Sequence, residues 1–173
     1  MDNSILQQFL DNPKEAGLVC LSSFKFFVQV FHYYIYKKPF IFKEFHERII
    51  QALEDRVLTD NTDKPNLLIN VAPRSGKSQI LQYFVAWGYA INYQSNFILT
   101  SYGDSLVMKF SDSIKGIINS KFYQDMFGIP LDAKNTAKEF WKIKDGGELR
   151  ASAMGSIITG FGAGTMSDGW GGT

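Results

Sequence analysis

Apolar residues recur at helical spacing through the first third of the chain. Residues 1–15 are polar and contain a predicted turn at 11–13, where Asp and Asn precede Pro13. The run from Leu18 to Tyr36 is strongly apolar and aromatic, and it approaches membrane-spanning length. Polar side chains interrupt it at Ser22, Ser23, Lys25, Gln29 and His32. A membrane span is nearly free of such groups, so the run predicts an amphipathic or buried helix.

A second helix is predicted from about Lys43 to Leu58, after a break at Lys37-Lys38-Pro39. Its apolar positions are Phe45, Ile49, Ile50, Leu53, Val57 and Leu58. The charged positions, which predict a solvated face, are Glu44, Glu47, Arg48, Glu54, Asp55 and Arg56. A polar loop is expected to follow at 59–65. His32 is interpreted as a packed or surface histidine, because no second histidine or cysteine lies at metal-ligand spacing.

The middle of the chain twice shows an apolar run, a polar turn and a helical pattern. Leu67 to Val71 predicts a strand, and the segment from Gln79 to Asn92 predicts a helix that is apolar nearly all round. A second buried strand is expected at 96–102, followed by a helix with an apolar stripe that Asp104 can cap. This order is typical of a parallel α/β sheet, whose ligands bind at the carboxyl ends of the strands. Ser101, Tyr102 and Asp104 are therefore predicted near that edge.

From Glu139 onward the pattern alternates, as in a β-hairpin. Trp141 and Ile143 alternate with polar or outward positions, the turn 145–147 reads Asp-Gly-Gly, and apolar residues alternate again from Leu149. The tail from Gly155 to the end is rich in glycine. Its glycine spacing is not that of a dinucleotide-binding fingerprint, which would require Gly at position 165 and a preceding strand.

The polar turn after Val71 carries the candidate chemistry. It reads Pro-Arg-Ser-Gly-Lys-Ser from 73 to 78, between a predicted strand and a predicted helix. Backbone N–H groups in such a turn, with the positive end of the following helix, form a cradle for an anion, usually a nucleotide triphosphate. In that geometry Lys77 reaches the outer phosphates, the Ser78 hydroxyl ligates Mg²⁺, and Gly76 lets the backbone approach the phosphate oxygens.

The loop departs from the general phosphate-loop pattern at one position. Val71 stands where that pattern has its first glycine. The alternative interpretation is an ordinary strand-to-helix turn with an exposed lysine. The predicted nucleotide-binding residues are Pro73, Arg74, Ser75, Gly76, Lys77, Ser78 and Gln79.

Arg74 has two interpretations that spacing leaves open. A guanidinium inside a phosphate loop can lie against the γ-phosphate and neutralise charge that develops in the transition state, as an arginine finger supplied in cis. Alternatively, Arg74 pairs with a neighbouring carboxylate or faces solvent. With Lys77, it is a candidate catalytic residue.

Composition narrows the class of protein only slightly. The chain has 173 residues, of which 45% are apolar and 20% charged, and this fits a globular protein with a real core. The formal net charge of +1 demands no nucleic-acid partner, although a balanced total can hide a local basic groove. The single cysteine, Cys20, cannot form an internal disulfide, and no secretory signal opens the chain, so a reducing intracellular compartment is expected.

Five blocks of the sequence together resemble the ATPase half of the large terminase subunit of tailed bacteriophages. The resemblance covers about residues 40–173 and includes the proline-arginine form of the loop, with its missing first glycine. The blocks are Phe45-His46-Glu47-Arg48 with Ala52-Leu53-Glu54, the loop segment 68–78, Thr100-Ser101-Tyr102, the run 110–118, and the glycine-rich segment 155–163.

The resemblance implies an ATP-driven motor that packages double-stranded viral DNA into a procapsid. It implies that Lys77 and Ser78 bind phosphate and Mg²⁺, and that Arg74 is the cis arginine. The implied partners are the viral DNA, the portal protein and the small terminase subunit, with a homo-oligomer on the portal when the protein is complete. The implied location is the cytoplasm of the bacterial host, with no secretion and no membrane partner.

The sequence lacks the acidic strand that holds Mg²⁺ in phosphate-loop ATPases. The family's coupling motif and nuclease carboxylates are missing as well, so the chain looks like the first part of such a protein, cut before its metal-holding aspartate. Hydrolysis is expected of the complete protein, and the unpaired sheet edge left behind would favour aggregation. The alternatives are a nucleotide-binding or inert remnant of a prophage gene, and another P-loop motor acting on nucleic acid.

These patterns together predict an α/β fold. It would be a P-loop NTPase-type parallel sheet flanked by helices, incomplete, with an N-terminal helical segment and a C-terminal β-hairpin region. The predicted organisation is a helical segment at 1–60 and a partial P-loop ATPase domain at 61–173.

Overall fold

The computed structural model describes residues 2–58 and 66–154. The predicted loop at 59–65 and the glycine-rich tail from 155 lie outside the described residues. The chain divides into two compact units between Trp87 and Gly88. In the described ranges no helix combines the length and the apolar character needed to cross a membrane.

Helices form all the regular structure described in the first unit, and the last of them continues into the second. They are α1 (Asn3–Asp11), α2 (Pro13–Ser22), α3 (Phe24–Tyr36), α4 (Glu44–Leu58) and α5 (Lys77–Ile91). The prediction of α4 is confirmed to within one residue, and α5 is confirmed with a start two residues earlier. The turn at 11–13 is also confirmed, because α1 ends there and Pro13 starts α2. The helix α1 was not predicted.

The prediction of a single helix from Leu18 to Tyr36 is wrong, because the helix is interrupted at Ser23. Ser23 has extended backbone angles, and its hydroxyl accepts a hydrogen bond from the Phe26 N–H, so it caps α3. The Phe24 N–H, which has no acceptor within its own helix, donates to the Glu54 carboxylate at 2.6 Å. Glu54 therefore holds the end of α3, and the prediction that it belongs to a solvated face is also wrong.

Aromatic side chains fill the core of the first unit. Phe24 packs against Trp87, and Phe27 stacks on Phe31. The indole N–H of Trp87 is buried and donates to the Cys20 carbonyl at 2.7 Å, so the polar atom of this large side chain is satisfied.

As far as residue 154, the second unit combines two further helices with a four-stranded sheet. Its elements are β1 (Phe97–Ser101), α6 (Asp104–Ile118), α7 (Lys121–Phe127), β2 (Leu131–Thr136), β3 (Phe140–Ile143) and β4 (Glu148–Ala153). The strand order is β1-β4-β3-β2, in which only β1 and β4 are parallel. The fold is therefore mixed α/β with a mixed sheet. The parallel sheet that the sequence predicted is not what the described residues form.

The predicted hairpin is confirmed as β3 and β4. Asp145 has a positive φ of 55° in its turn, and the Gly147 N–H donates to the Tyr93 carbonyl at 2.8 Å. Beside the turn, Glu148 forms ion pairs with Lys142 at 2.9 Å and Arg150 at 2.8 Å. Burial acts to raise the pKa of Glu148, but the two basic partners outweigh it and lower the pKa below its usual value.

A buried hydrogen bond joins α6 to the sheet. The Trp141 indole donates to the Ser111 hydroxyl at 2.9 Å, and both side chains are fully buried. The prediction that Asp104 caps α6 is wrong, because Asp104 is the first helical residue and Gly103 occupies the cap position without a side-chain bond.

The strand predicted from Leu67 to Val71 is not formed. Residues 66–72 have no regular structure, and Leu68 is 91% exposed. A strand requires a neighbour for its backbone hydrogen bonds, and no described strand pairs with this segment. Its apolar residues match a strand pattern without the pairing that would make one.

Candidate functional site

The loop before α5 has the backbone shape of an anion cradle. Arg74 and Gly76 both have positive φ angles, 60° and 84°, and α5 begins at Lys77. The Gly76 carbonyl accepts hydrogen bonds from the N–H groups of Gln79 and Ile80, which ties the loop to the first helical turn. Alternation of helical and left-handed residues turns successive N–H groups toward one side, as in anion-binding nests.

The N–H groups at the helix start have no described protein partner. Among residues 2–58 and 66–154, the backbone N–H groups of Ser75, Gly76, Lys77 and Ser78 donate to no acceptor. The buried Ser75 hydroxyl likewise has no hydrogen-bond partner in these ranges. Polar groups without a protein partner at a helix N-terminus are the donors that a phosphate group accepts from.

Lys77 lies across the loop that it is predicted to serve. Its ammonium group donates to the Val71 carbonyl at 2.8 Å, six residues earlier in the chain. The side chain therefore folds back toward the residue at which the loop begins. Val71, which replaces the usual first glycine, contributes its carbonyl to this contact, and a carbonyl is available from any residue type.

The other predicted site residues lie around the same loop but differ in what they contact. Pro73 and Arg74 are exposed, and no carboxylate in the described ranges forms an ion pair with Arg74. Ser78 lies in the first turn of α5 and is partly exposed. The Gln79 side chain donates to the Tyr83 hydroxyl at 3.2 Å, so it points along the helix.

His46 and Phe40 both lie close to the loop. The sequence patterns predict no role for either residue. His46 Nε2 lies 2.6 Å from the Ser75 carbonyl oxygen. A methyl group built onto Gly76 would lie 3.6 Å from Phe40 Cζ and 3.7 Å from His46 Nε2, which is ordinary contact. Glycine is therefore required at 76 by its positive φ angle and not by lack of room. In the sequence, the His46 segment enters only as one block of the resemblance.

Phe40 also lines a cavity of about 520 Å³. Its lining residues are Ser23, Lys25, Phe26, Gln29, Phe40 and Phe42. Gln29 is 5% exposed, and its carboxamide oxygen has no hydrogen-bond partner in the described ranges. The Lys25 ammonium lies 5.4 Å from the centre of the Phe42 ring and pairs with Glu47. The cavity thus offers aromatic faces with one buried polar group.

His32 belongs to the aromatic packing next to Phe40, as expected for a packed histidine. Its ring lies 5.0 Å from the Phe40 ring and 4.7 Å from the Tyr36 ring. Burial lowers the pKa of His32 and raises that of nearby Tyr83, so both are favoured in their neutral forms. The described ranges hold no group of three or more histidine, cysteine, aspartate or glutamate residues that could bind a metal.

Ser101 and Tyr102 lie at the carboxyl end of β1, in the second unit. The Ser101 carbonyl accepts a hydrogen bond from the Met154 N–H at 2.8 Å, and the Tyr102 side chain is 93% exposed. Asp104 follows at the start of α6. The prediction that these residues lie beside a bound nucleotide stays a prediction.

Comparison of the chain with models of protein families, with curated protein sequences and with solved structures finds no match in any of the three. The site is a loop with left-handed residues at 74 and 76, directly before the first turn of α5.

Proposed function

We propose that this chain binds ATP through the loop at 73–78, as the ATPase part of a motor that packages viral double-stranded DNA. The observation that carries the nucleotide proposal is the set of N–H groups from Ser75 to Ser78 without acceptors, next to the ammonium of Lys77. The packaging role rests on the resemblance of five sequence blocks to the large terminase subunit of tailed bacteriophages.

In this proposal each loop residue has a distinct task. The backbone N–H groups bind the phosphate oxygens, and Lys77 exchanges its hydrogen bond to the Val71 carbonyl for the outer phosphates. Arg74, which is exposed and in a left-handed conformation, approaches the γ-phosphate as the cis arginine. The Ser78 hydroxyl is the proposed protein ligand of Mg²⁺, and the ion arrives with the nucleotide and is held mainly by phosphate oxygens.

The cavity next to Phe40 is proposed to hold the base of the nucleotide. Phe40 lines the cavity, and its ring would lie 3.6 Å from a methyl group built onto Gly76, so the loop and the cavity share this neighbour. Aromatic faces favour stacking with a purine, and the buried carboxamide of Gln29 gains a partner from the polar edge of the base. An inorganic triphosphate would use the loop alone.

The nucleotide proposal is tested by calorimetric titration of the chain with Mg-ATP. An ammonium and a phosphate charge about 4 Å apart attract by about 4 kcal/mol at an effective dielectric of 20. Release of the Val71 carbonyl offsets about 1.5–3 kcal/mol of this. Lys77→Ala should therefore weaken ATP binding about 5- to 70-fold, whereas Lys121→Ala, on an exposed lysine paired with Asp125, should not change it. If the wild type, Lys77→Ala and Lys121→Ala bind ATP with equal affinity, Lys77 does not bind the phosphates.

The base site is tested by comparing ATP with inorganic triphosphate. Gln29→Leu, which keeps the side-chain volume and removes the carboxamide, should weaken ATP binding and leave triphosphate binding unchanged. Loss of both would mean that Gln29 acts on the loop, and loss of neither would mean that the base lies elsewhere.

The packaging role is tested by the reading frame after Thr173 and by the identity of the neighbouring genes. Continuation of the reading frame past Thr173 into an apolar strand ending in aspartate, next to portal and small terminase genes, supports a terminase. A stop codon without such neighbours supports the alternative of a nucleotide-binding remnant.

A further inference from the structure

The side chain of His46 connects two parts of the first unit that are 29 residues apart in sequence. It lies in the first turn of α4 and is only 6% exposed. Its ring packs against the rings of Phe40 and Phe45, with centroid distances of 5.1 Å and 4.0 Å. Aromatic contacts on this scale fix the plane of the imidazole, so its two nitrogen atoms face defined partners.

Both ring nitrogens of His46 have backbone partners of opposite kinds. Nδ1 faces the Lys43 N–H at 3.0 Å, and Nε2 faces the Ser75 carbonyl oxygen at 2.6 Å. An N–H can only donate and a carbonyl can only accept, so one arrangement satisfies both contacts. It is the neutral imidazole with its proton on Nε2, which accepts from Lys43 and donates to Ser75.

The bond to Ser75 sets the direction of the next N–H group in the loop. In a planar trans peptide the carbonyl and the N–H of the same unit point in opposite directions. Because the Ser75 carbonyl points at His46, the Gly76 N–H points away from it, toward the side of the loop opposite the imidazole. That N–H is one of the donors without an acceptor in the described ranges.

We propose that His46 is a positioning residue, which holds the Ser75–Gly76 peptide with its N–H toward the bound phosphate. This inference rests on the proposed binding of a triphosphate at the loop. Without the His46 bond the peptide is free to rotate, and its carbonyl would then turn a partial negative charge toward the anion. The loss of one such hydrogen bond corresponds to about a 2- to 12-fold change in an equilibrium constant.

The test uses three substitutions that mimic different parts of the imidazole. His46→Phe keeps the ring packing and removes both hydrogen bonds. His46→Gln places an amide N–H near the position of Nε2, and His46→Asn places its amide near the position of Nδ1. Titration with inorganic triphosphate and Mg²⁺ should show near wild-type affinity for Gln and a loss of about 2- to 12-fold for Phe and Asn.

A purely structural role for His46 predicts a different pattern. Affinity would then follow the free energy of unfolding of each variant, measured by urea denaturation, with no rescue by Gln. Unchanged affinity in the Phe and Asn variants, or equal loss in all three, would overturn the inference. The Gln and Asn variants keep the comparison informative if the Phe variant does not fold.

Two controls separate this inference from the proposed function. If wild-type protein binds no triphosphate and Lys77→Ala changes nothing, the proposed function fails. The positioning claim is still tested without ligand, from the imidazole ¹⁵N and Gly76 amide resonances. A proton on Nε2 of His46, and a Gly76 amide shift that Gln preserves while Phe and Asn change it, support the claim. A proton on Nδ1 contradicts it.

Discussion

Gly147 is the position in the hairpin turn where one added methyl group should have the largest effect. A Cβ atom built there would overlap the Ser95 carbonyl oxygen and lie 2.6 Å from the Ser95 carbonyl carbon and 2.7 Å from the Gln94 oxygen. All three are backbone atoms, which cannot move aside as a flexible side chain can. Gly147→Ala must therefore push the turn away from the segment 93–96.

The cost of that movement follows from the bonds it breaks. The Gly147 N–H donates to the Tyr93 carbonyl at 2.8 Å, and the Glu148 N–H donates to the Asn96 side chain at 2.9 Å. Each bond contributes about 0.5–1.5 kcal/mol, and overpacking adds about 1–3 kcal/mol. The free energy of unfolding should fall by about 2–6 kcal/mol, which lowers the melting temperature by roughly 4–24 °C for a chain of this size.

The assay is urea denaturation followed by circular dichroism, with Gly116→Ala as the matched control. Gly116 is exposed on α6, and a Cβ atom there would meet nothing within 4 Å. Because alanine favours a helix over glycine, this control should stabilise the protein by about 0.5–1 kcal/mol. The reasoning is refuted if Gly147→Ala is as stable as the wild type, or if the two substitutions change stability in the same direction.

Three further predictions concern buried or charged groups. Ser111→Ala should lower the free energy of unfolding in urea by about 1–3 kcal/mol, because it leaves the Trp141 indole N–H buried without a partner. The control Ser113→Ala, on the exposed face, should lower it by under about 0.5 kcal/mol. Similar values for both substitutions would contradict the packing described. Cys20 should resist a thiol reagent until the protein unfolds, because burial raises the pKa of its thiol, and fast labelling of native protein would show otherwise. The ion pairs of Glu148 lower its pKa in the folded protein, so their stabilisation is present above the unfolded pKa of about 4.3 and is lost as pH falls below it. Glu148→Gln should therefore reduce the loss of stability between about pH 5 and pH 3. An unchanged slope of the free energy of unfolding against pH would exclude this role.

Local patterns were sufficient to predict much of the helical structure and the hairpin. The spacing of Ile49, Ile50 and Leu53 gave α4, and the apolar run after Lys77 gave α5. The Asp-Gly-Gly turn between alternating residues gave β3 and β4. These elements depend on neighbours in sequence, which a pattern can read.

Features that depend on distant partners were missed. The break at Ser23 is fixed partly by Glu54, which lies thirty residues after Phe24, and the strand β2 is polar enough that only its pairing with β3 defines it. The Leu67–Val71 segment is the converse of β2. Its composition favours a strand, but no described strand pairs with it. Periodicity contains no information on such pairings.

The candidate site shows the same division. The motif located the loop, and the resemblance selected Arg74 as the cis arginine over its alternative. Neither indicated that His46 holds the Ser75 carbonyl, because the two residues are brought together only by the packing of α4 against the loop. A histidine two residues after a lysine-glutamate pair has no general signature of that role.

The most direct test of the account is the response of the loop amides to a triphosphate. Uniformly ¹⁵N-labelled protein is titrated with inorganic triphosphate and Mg²⁺, and the amide resonances of residues 75–78 are followed with those of Gly146 and Gly147 as a reference. The account predicts large, saturable shifts at 75–78, none at the hairpin turn, and loss of the response in Lys77→Ala. Amides at 75–78 that do not move while the protein is folded would contradict the phosphate-binding role of this loop.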